Sequence, residues 1–245
     1  MIPFLRTLFF FVVFWLHQLL IFPLLVFFLA CKRLAGCSPR PGSKVHFITR
    51  TWGRMICALG GVSITVHDHS GTDPSESVLF VSNHQGDFDI PVLLAFSGKP
   101  IGFVAKKELS SIPLVAQWME VMGCIFLDRD DRRKQVEQIK ETVANLHAGL
   151  SMVIFPEGTR SHSSQMAPFA KGSVQVAVRA GVRIVPVTLK DTFSLYPKGI
   201  RMFPGGHASV ILHPAMDPAS LEAEEKAQLQ DLVREQIQAG LDAEG

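Results

Sequence analysis

Hydrophobic and polar positions along this chain change their rhythm twice. From Leu8 to Cys31 no formally charged side chain appears, and eight of the 18 phenylalanines fall within residues 1–31. Wound as a helix at about 1.5 Å per residue, that segment would reach roughly 36 Å, enough for a hydrocarbon layer of about 30 Å. Pro23 removes a backbone donor inside it, so a segment that dips into a bilayer and returns fits the pattern nearly as well as a straight span. The apolar run exceeds the core of a signal peptide and has a poorly formed small-x-small cleavage site, so it is expected to stay in the mature protein. A connector rich in proline and glycine follows between Leu34 and Gly42. From Ser43 onward, Val45, Ile48, Trp52, Met55 and Leu59 recur at spacings of three and four, while His46, Arg50 and Arg54 recur every four. An interfacial helix has this pattern, and so does a core helix with a solvated face; the neighbouring apolar segment favours membrane contact.

After Gly60 short apolar runs alternate with longer mixed segments, the pattern of an α/β body. Strands are predicted at Val62–His67, Ser77–Ser82, Ile101–Ala105, Cys124–Leu127, Met152–Phe155, Arg183–Leu189 and Ser209–Leu212. Val136, Ile139, Val143 and Leu146 keep a three-four spacing on a charged stretch ending at Gly149, as a crossover helix of a parallel sheet would. Ser173–Val178 fits a strand or a buried helix equally, and an acidic helix from about Pro218 to Ala239 closes the chain. The expected fold is α/β, a mainly parallel sheet flanked by helices over residues 61–245, preceded by a hydrophobic two-helix membrane motif over residues 1–60.

Charge sharpens that division. The net value of +2 conceals seven basic and no acidic residues in positions 1–60, which leaves 17 basic and 22 acidic residues in the remainder. A basic segment beside an apolar one suits anionic lipid headgroups better than nucleic acid, and the body has no basic stripe. By the tendency of basic flanks to stay inside, the cluster from Lys32 to Arg54 places the body in the cytoplasm, on a membrane that would be the inner one in a bacterium. Four cysteines without a CxxC pair are expected to be reduced thiols and give no zinc site or oxidised framework.

Chemistry gathers where the strands are predicted to end. After Ser82 comes Asn83-His84-Gln85-Gly86-Asp87-Phe88-Asp89. A histidine and an acid five apart lie about 140° apart on a regular helix, so they meet only across a turn, which Gly86 permits; Asp87 is a candidate cap for the helix beyond. A carboxylate on one imidazole nitrogen fixes the tautomer and stabilises the imidazolium, which makes His84 with Asp89 a candidate general base. In isolation such a pair reads first as a capping histidine and a surface acid, because only two positions are fixed. A second ending, Phe155-Pro156-Glu157-Gly158-Thr159-Arg160, offers a bare backbone N–H at Gly158 and a guanidinium fork suited to phosphate, or a local Glu157–Arg160 ion pair. Lys106 with Lys107, and Asp128 with Arg129, follow two further strands.

In this order and spacing, Asn83-His84 to Asp89, Gly123 to Arg129, Phe155 to Arg160 and Val185-Pro186-Val187 resemble the four blocks of the glycerolipid acyltransferases, the PlsC family. Gly86 departs from the serine often found there. The resemblance implies a glycerol-3-phosphate acyltransferase-like fold. It also implies transfer of an acyl chain from acyl-CoA or acyl-carrier protein to the sn-2 hydroxyl of lysophosphatidic acid at a bilayer, giving phosphatidic acid. The expected partners are the membrane lipid bilayer, lysophosphatidic acid and the acyl donor, with no nucleic acid, cofactor or metal. His84 and Asp89 would be catalytic, and Lys106 and the Gly158 amide would face the oxyanion. Arg160, then Arg129, with Glu157 and Thr159, would take the phosphate. No GxSxG elbow suggests an acyl-enzyme. Another lysolipid or ornithine-lipid acceptor, a thioesterase and a noncatalytic acyl-carrier binder are the alternatives; Arg160 speaks against the thioesterase and the histidine–acid pair against the binder.

Overall fold

A computed structural model describes residues 2–35, 43–200 and 202–243. The expected connector lies mostly outside these residues. A seven-stranded sheet runs in the order β1-β7-β6-β2-β5-β3-β4. Its strands are β1 (Val62–Asp68), β2 (Leu79–Ser82), β3 (Ile101–Lys106), β4 (Ile125–Leu127), β5 (Ser151–Ile154), β6 (Ile184–Lys190) and β7 (Gly206–Leu212). Strands β6, β2, β5, β3 and β4 are mutually parallel, and the antiparallel junction of β6 with β7 reverses only β7 and β1.

Side chains alternate across the central strands. Leu79 and Val81 of β2 pack with Met152, Ile154 and Ile184 beneath α5 (Arg132–His147), α6 (Gln175–Ala180) and α8 (Ala223–Asp242). Val78 and Phe80 face the opposite layer with Val153, Val185 and Val187, beneath α2 (Ser43–Leu59) and α3 (Asp89–Phe96). Both faces are covered, so the strands read as continuous apolar runs. The ambiguous Ser173–Val178 region is helical at α6: Val176 and Ala180 are buried at a four-residue spacing, and Gly181 closes the helix in the left-handed region at φ 61°. Two further short helices, α4 (Val115–Val121) and α7 (Thr192–Leu195), have no counterpart in the sequence reading because so few residues hold no periodicity.

The first helix, α1 (Ile2–Ala35), is continuous through Pro23, so it does not turn back on itself. Pro3–Cys31, with mean hydropathy 2.3, is long and apolar enough to cross a membrane. It nevertheless touches the body near both ends. Thr7 accepts from Phe203 N at 2.9 Å and Phe10 meets the Phe203 ring at 4.1 Å, while Leu25 is buried with Val45 and Val121. At about 1.5 Å per residue, Phe10 and Leu25 are roughly 22 Å apart along the axis. The helix therefore lies along the domain, with Leu8, Phe9, Leu16, Leu19 and Leu20 exposed on its other side.

The apolar face of α2 corrects the expectation of membrane contact there. Val45, Ile56 and Cys57 are buried, and a Cβ at Gly53 would stand 2.5 Å from Pro91 O, so α2 packs closely on α3. Cysteines Cys31, Cys57 and Cys124 are unpaired, and burial pushes the Cys57 and Cys124 thiols up to about 12, where they are unreactive.

Candidate active site

Because β6, β2, β5, β3 and β4 are parallel, the loops leaving their C-terminal ends share one sheet edge. Asn83 continues the ladder where the main chain departs from β2. Its amide donates to Leu189 O and accepts from Leu189 N, both at 2.8 Å. The chain then turns through Gln85 and Gly86 and enters α3 at Asp89. His84 Nδ1 lies 2.6 Å from Asp89 Oδ2, and the same oxygen accepts from Gln85 N at 2.6 Å and Gly86 N at 2.9 Å. Asp89 is wholly buried. A carboxylate only accepts, so the imidazole proton sits on Nδ1 and Nε2 carries the lone pair. Phe155 stacks on the imidazole with ring centroids 4.0 Å apart and limits its rotation. The expected pair across a turn is thus formed.

The loop after β5 is tied to this turn. Glu157 Oε1 accepts from His84 N at 2.7 Å and Oε2 from Ala167 N at 2.7 Å. Burial holds the Glu157 carboxyl above its ordinary range, partly offset by those two amides. Ser161 N and His162 N donate to His84 O and Gln85 O at 2.8 and 3.1 Å. Arg160 reaches Asp87 at 2.8 Å. Four expectations are corrected by the contacts of these loops. Glu157 spends both oxygens on backbone amides and is a clamp rather than a phosphate ligand. The Gly158 amide closes its own turn on Phe155 O at 3.0 Å and is not available to an oxyanion. Asp87 does not cap α3, whose N-cap Phe88 has no side-chain bond; it pairs with Arg160, which also removes the local Glu157–Arg160 pair.

Gly158 has another use. At φ +68° a Cβ there would clash with Arg129 Nη1, and Arg129 Nη1 donates to Gly158 O at 3.3 Å. The glycine lets the guanidinium from the β4 loop lie against the β5 loop. Lys107 turns away to Asp128 at 2.8 Å, whereas Lys106 lines the cavity. Gly86, at the departure from the family pattern, faces α7: a Cβ would stand 3.3 Å from Phe193 Cα.

One cavity of about 570 Å³ joins these groups to an apolar chamber. Its polar end holds His84, Lys106, Arg129, Gly158, Thr159, Arg160 and His162. Its apolar end is lined by Trp15 and Ile21 of α1, Ile48 and Trp52 of α2, Leu94 of α3, and Trp118 and Met122 of α4. The sequence reading missed this chamber and His162, whose left-handed backbone at φ 53° gives no sequence signal. Asp89 lies behind His84 and Glu157 behind the loops, so neither lines the cavity.

A parallel sheet that presents a buried-acid–histidine pair and several cations to a half-apolar cavity defines an α/β domain equipped to activate a hydroxyl beside an anionic, chain-bearing ligand. The family model described as Acyltransferase matches residues 63–190, and the chain belongs to the acyltransferase family. A chloroplastic 1-acyl-sn-glycerol-3-phosphate acyltransferase of Arabidopsis thaliana is 35% identical over 170 residues, covering 69% of this chain and 47% of its own. A 1-acyl-sn-glycerol-3-phosphate acyltransferase of Borreliella burgdorferi is 31% identical over 179 residues, covering 73% of this chain and 72% of its own. The crystal structure of PlsC, the 1-acyl-sn-glycerophosphate acyltransferase of Thermotoga maritima, matches with a TM-score of 0.80 at 28% identity, over 98% of this chain and 95% of that one. The chain spans about half the length of the plant and algal relatives it matches.

Proposed function

We propose that this chain transfers an acyl group from an acyl thioester, acyl-CoA or acyl-carrier protein, to the sn-2 hydroxyl of lysophosphatidic acid at a membrane surface, in a bacterium at the cytoplasmic face of the inner membrane. The observation that carries the reading is the position of His84: its Nδ1 is fixed by buried Asp89, and its ring lines a cavity that has cations at one end and an apolar chamber at the other. As the acceptor oxygen bonds to the thioester carbonyl carbon, His84 Nε2 takes the hydroxyl proton. Asp89 stabilises the resulting imidazolium. The tetrahedral oxyanion falls within reach of Lys106, the remaining oxyanion candidate. Collapse breaks the C–S bond, and the imidazolium returns its proton to the departing thiolate. Arg160 and Arg129, with Thr159, hold the acceptor phosphate, and the chamber takes an acyl chain. The names of the relatives support the acceptor. The exposed apolar side of α1 supports residence at the bilayer, where the lysolipid is taken up without extracting its chain, at about 0.8 kcal/mol per CH₂.

Purified full-length protein in mixed micelles, given labelled acyl-CoA or acyl-carrier protein and a panel of lysolipids, tests the reading. Acylation of lysophosphatidic acid in preference to neutral lysolipids is expected. Arg160→Ala should raise the apparent Michaelis constant for that acceptor more than for the thioester, with Lys restoring charge but not the fork. Equal use of lysolipids lacking the phosphomonoester would assign the site to another acceptor.

A further inference from the structure

The fourth strand end of the site, at β6, contributes a residue that neither block spacing nor the histidine–acid pair points to. Thr192 opens α7 immediately after β6 and is 1% exposed. Its hydroxyl lies against Asp89 Oδ1, the oxygen to which no other described group donates a hydrogen bond, while its backbone N donates to Gln85 Oε1 at 3.0 Å. The hydroxyl is also 3.1 Å from that same Gln85 oxygen. It has one proton and two acceptors in reach. Gln85 Oε1 already receives the Thr192 amide, which also settles which way the Gln85 side chain points, and a carboxylate is the stronger acceptor. The hydroxyl proton therefore goes to Asp89.

The two oxygens of Asp89 are held very differently. Oδ2 has three donors: His84 Nδ1 and the Gln85 and Gly86 amides. Oδ1 has Thr192 alone. The terminal torsion of an aspartate is broad and sets no orientation by itself. Without a donor on Oδ1, the carboxylate can pivot about the anchored Oδ2 and turn its lone pair off the line to the imidazole. The chain accepts backbone strain to supply the donor: Asp191, directly before Thr192, is one of three non-glycine residues with positive φ among those described, at 65°. Both the Thr192 amide and its hydroxyl are aimed inward from that turn.

We infer that Thr192 is a positioning residue for the reaction: by holding Asp89 Oδ1 it fixes the carboxylate that orients His84. This rests on the general-base reading above. Thr192 does not touch substrate, so its loss should lower kcat and leave both Michaelis constants near their original values.

The test compares full-length wild type with Thr192→Val, Thr192→Ser and His84→Ala. In ¹⁵N-histidine-labelled protein, the Nδ1 proton signal of His84, assigned by its absence in H84A, should be present in wild type and T192S. It should be broadened or lost through solvent exchange in T192V. Acyl transfer should fall about tenfold in kcat for T192V with unchanged Michaelis constants, and return to within about twofold in T192S. A T192V protein with a sharp His84 Nδ1 proton and wild-type kcat overturns the proposal. So does a T192V protein whose lost activity is not restored by T192S and is matched only by a lower melting temperature, since that is a packing effect. If H84A retains turnover, the general-base reading fails, and the NMR comparison alone then decides whether Thr192 holds the pair.

Discussion

The two ends of the cavity are built by different means. At the polar end, loops from β2 and β5 are joined by directional contacts: Glu157 to the His84 and Ala167 amides, Ser161 and His162 amides to the His84 and Gln85 carbonyls, and Arg160 to Asp87. Behind the apolar end, helices from distant parts of the chain meet through side-chain packing, as Leu25, Val45 and Val121 do. Hydrogen bonds fix angles as well as distances, which a base and its orienting acid require. Apolar packing is non-directional and tolerates volume-conserving change, which suits a surface that must accept a featureless chain. Joining the two in one cavity makes a hydroxyl position rigid and a chain position adjustable.

Breaking the polar end should cost most. His84→Ala is expected to lower kcat by about 100-fold to 10,000-fold, the usual contribution of a positioned base, with the melting temperature close to wild type. Near-normal turnover in that variant would show that the rigid end does not carry the chemistry. Gly158→Ala loosens the same end without touching the base. Alanine at φ +68° carries a strain of roughly 1–2 kcal/mol, and its Cβ would displace the Arg129 guanidinium. A rise of about tenfold in the Michaelis constant for the phosphate-bearing acceptor is expected, with kcat little changed; a fall in kcat alone would place Arg129 on the reacting atoms instead. Changes at the apolar end should be smallest and of another kind. Trp118→Ala should move the preferred chain to greater length and Ile21→Trp to shorter, each by about fourfold per CH₂ gained or lost, corresponding to about 0.8 kcal/mol. Unaltered chain preference in both variants, with kcat reduced, would mean that the apolar end supports the loops and does not select.

The same contrast decides what the sequence discloses. His84 and Asp89 are joined through a turn of local residues, so their spacing and Gly86 announce the contact, and the parallel strand ends follow from the apolar runs before them. The glycine at 158 is also visible, but its use is not: whether its amide is free or closes a turn depends on Phe155 O, and whether its missing Cβ matters depends on Arg129 arriving from another strand. Glu157 reads as a site acid because nothing local reveals that its partners are two backbone amides. The chamber is illegible for the same reason. Ile21, Ile48 and Trp118 belong to three separate helices: Ile21 is one apolar residue in an apolar run, Ile48 follows the periodicity of ordinary packing, and the helix of Trp118 is too short to show one. Residues 43–59 show the limit well, since one amphipathic pattern served both the membrane and the core reading, and the burial of Val45, Ile56 and Cys57 with the close approach of Gly53 to α3 separates them.

Labelling the cavity with its own proposed acceptor tests whether the two ends serve one substrate. Lysophosphatidic acid with a diazirine at the end of its acyl chain would be irradiated with the full-length wild-type protein in the absence of thioester, and the adducts located by mass spectrometry. The account places the adducts on the cavity-lining parts of α1, α2 and α4, around Ile21, Ile48 and Trp118, with unlabelled lysophosphatidic acid suppressing them. Adducts confined to the outer apolar face of α1 around Leu16, Leu19 and Leu20, and unaffected by competitor, would contradict it.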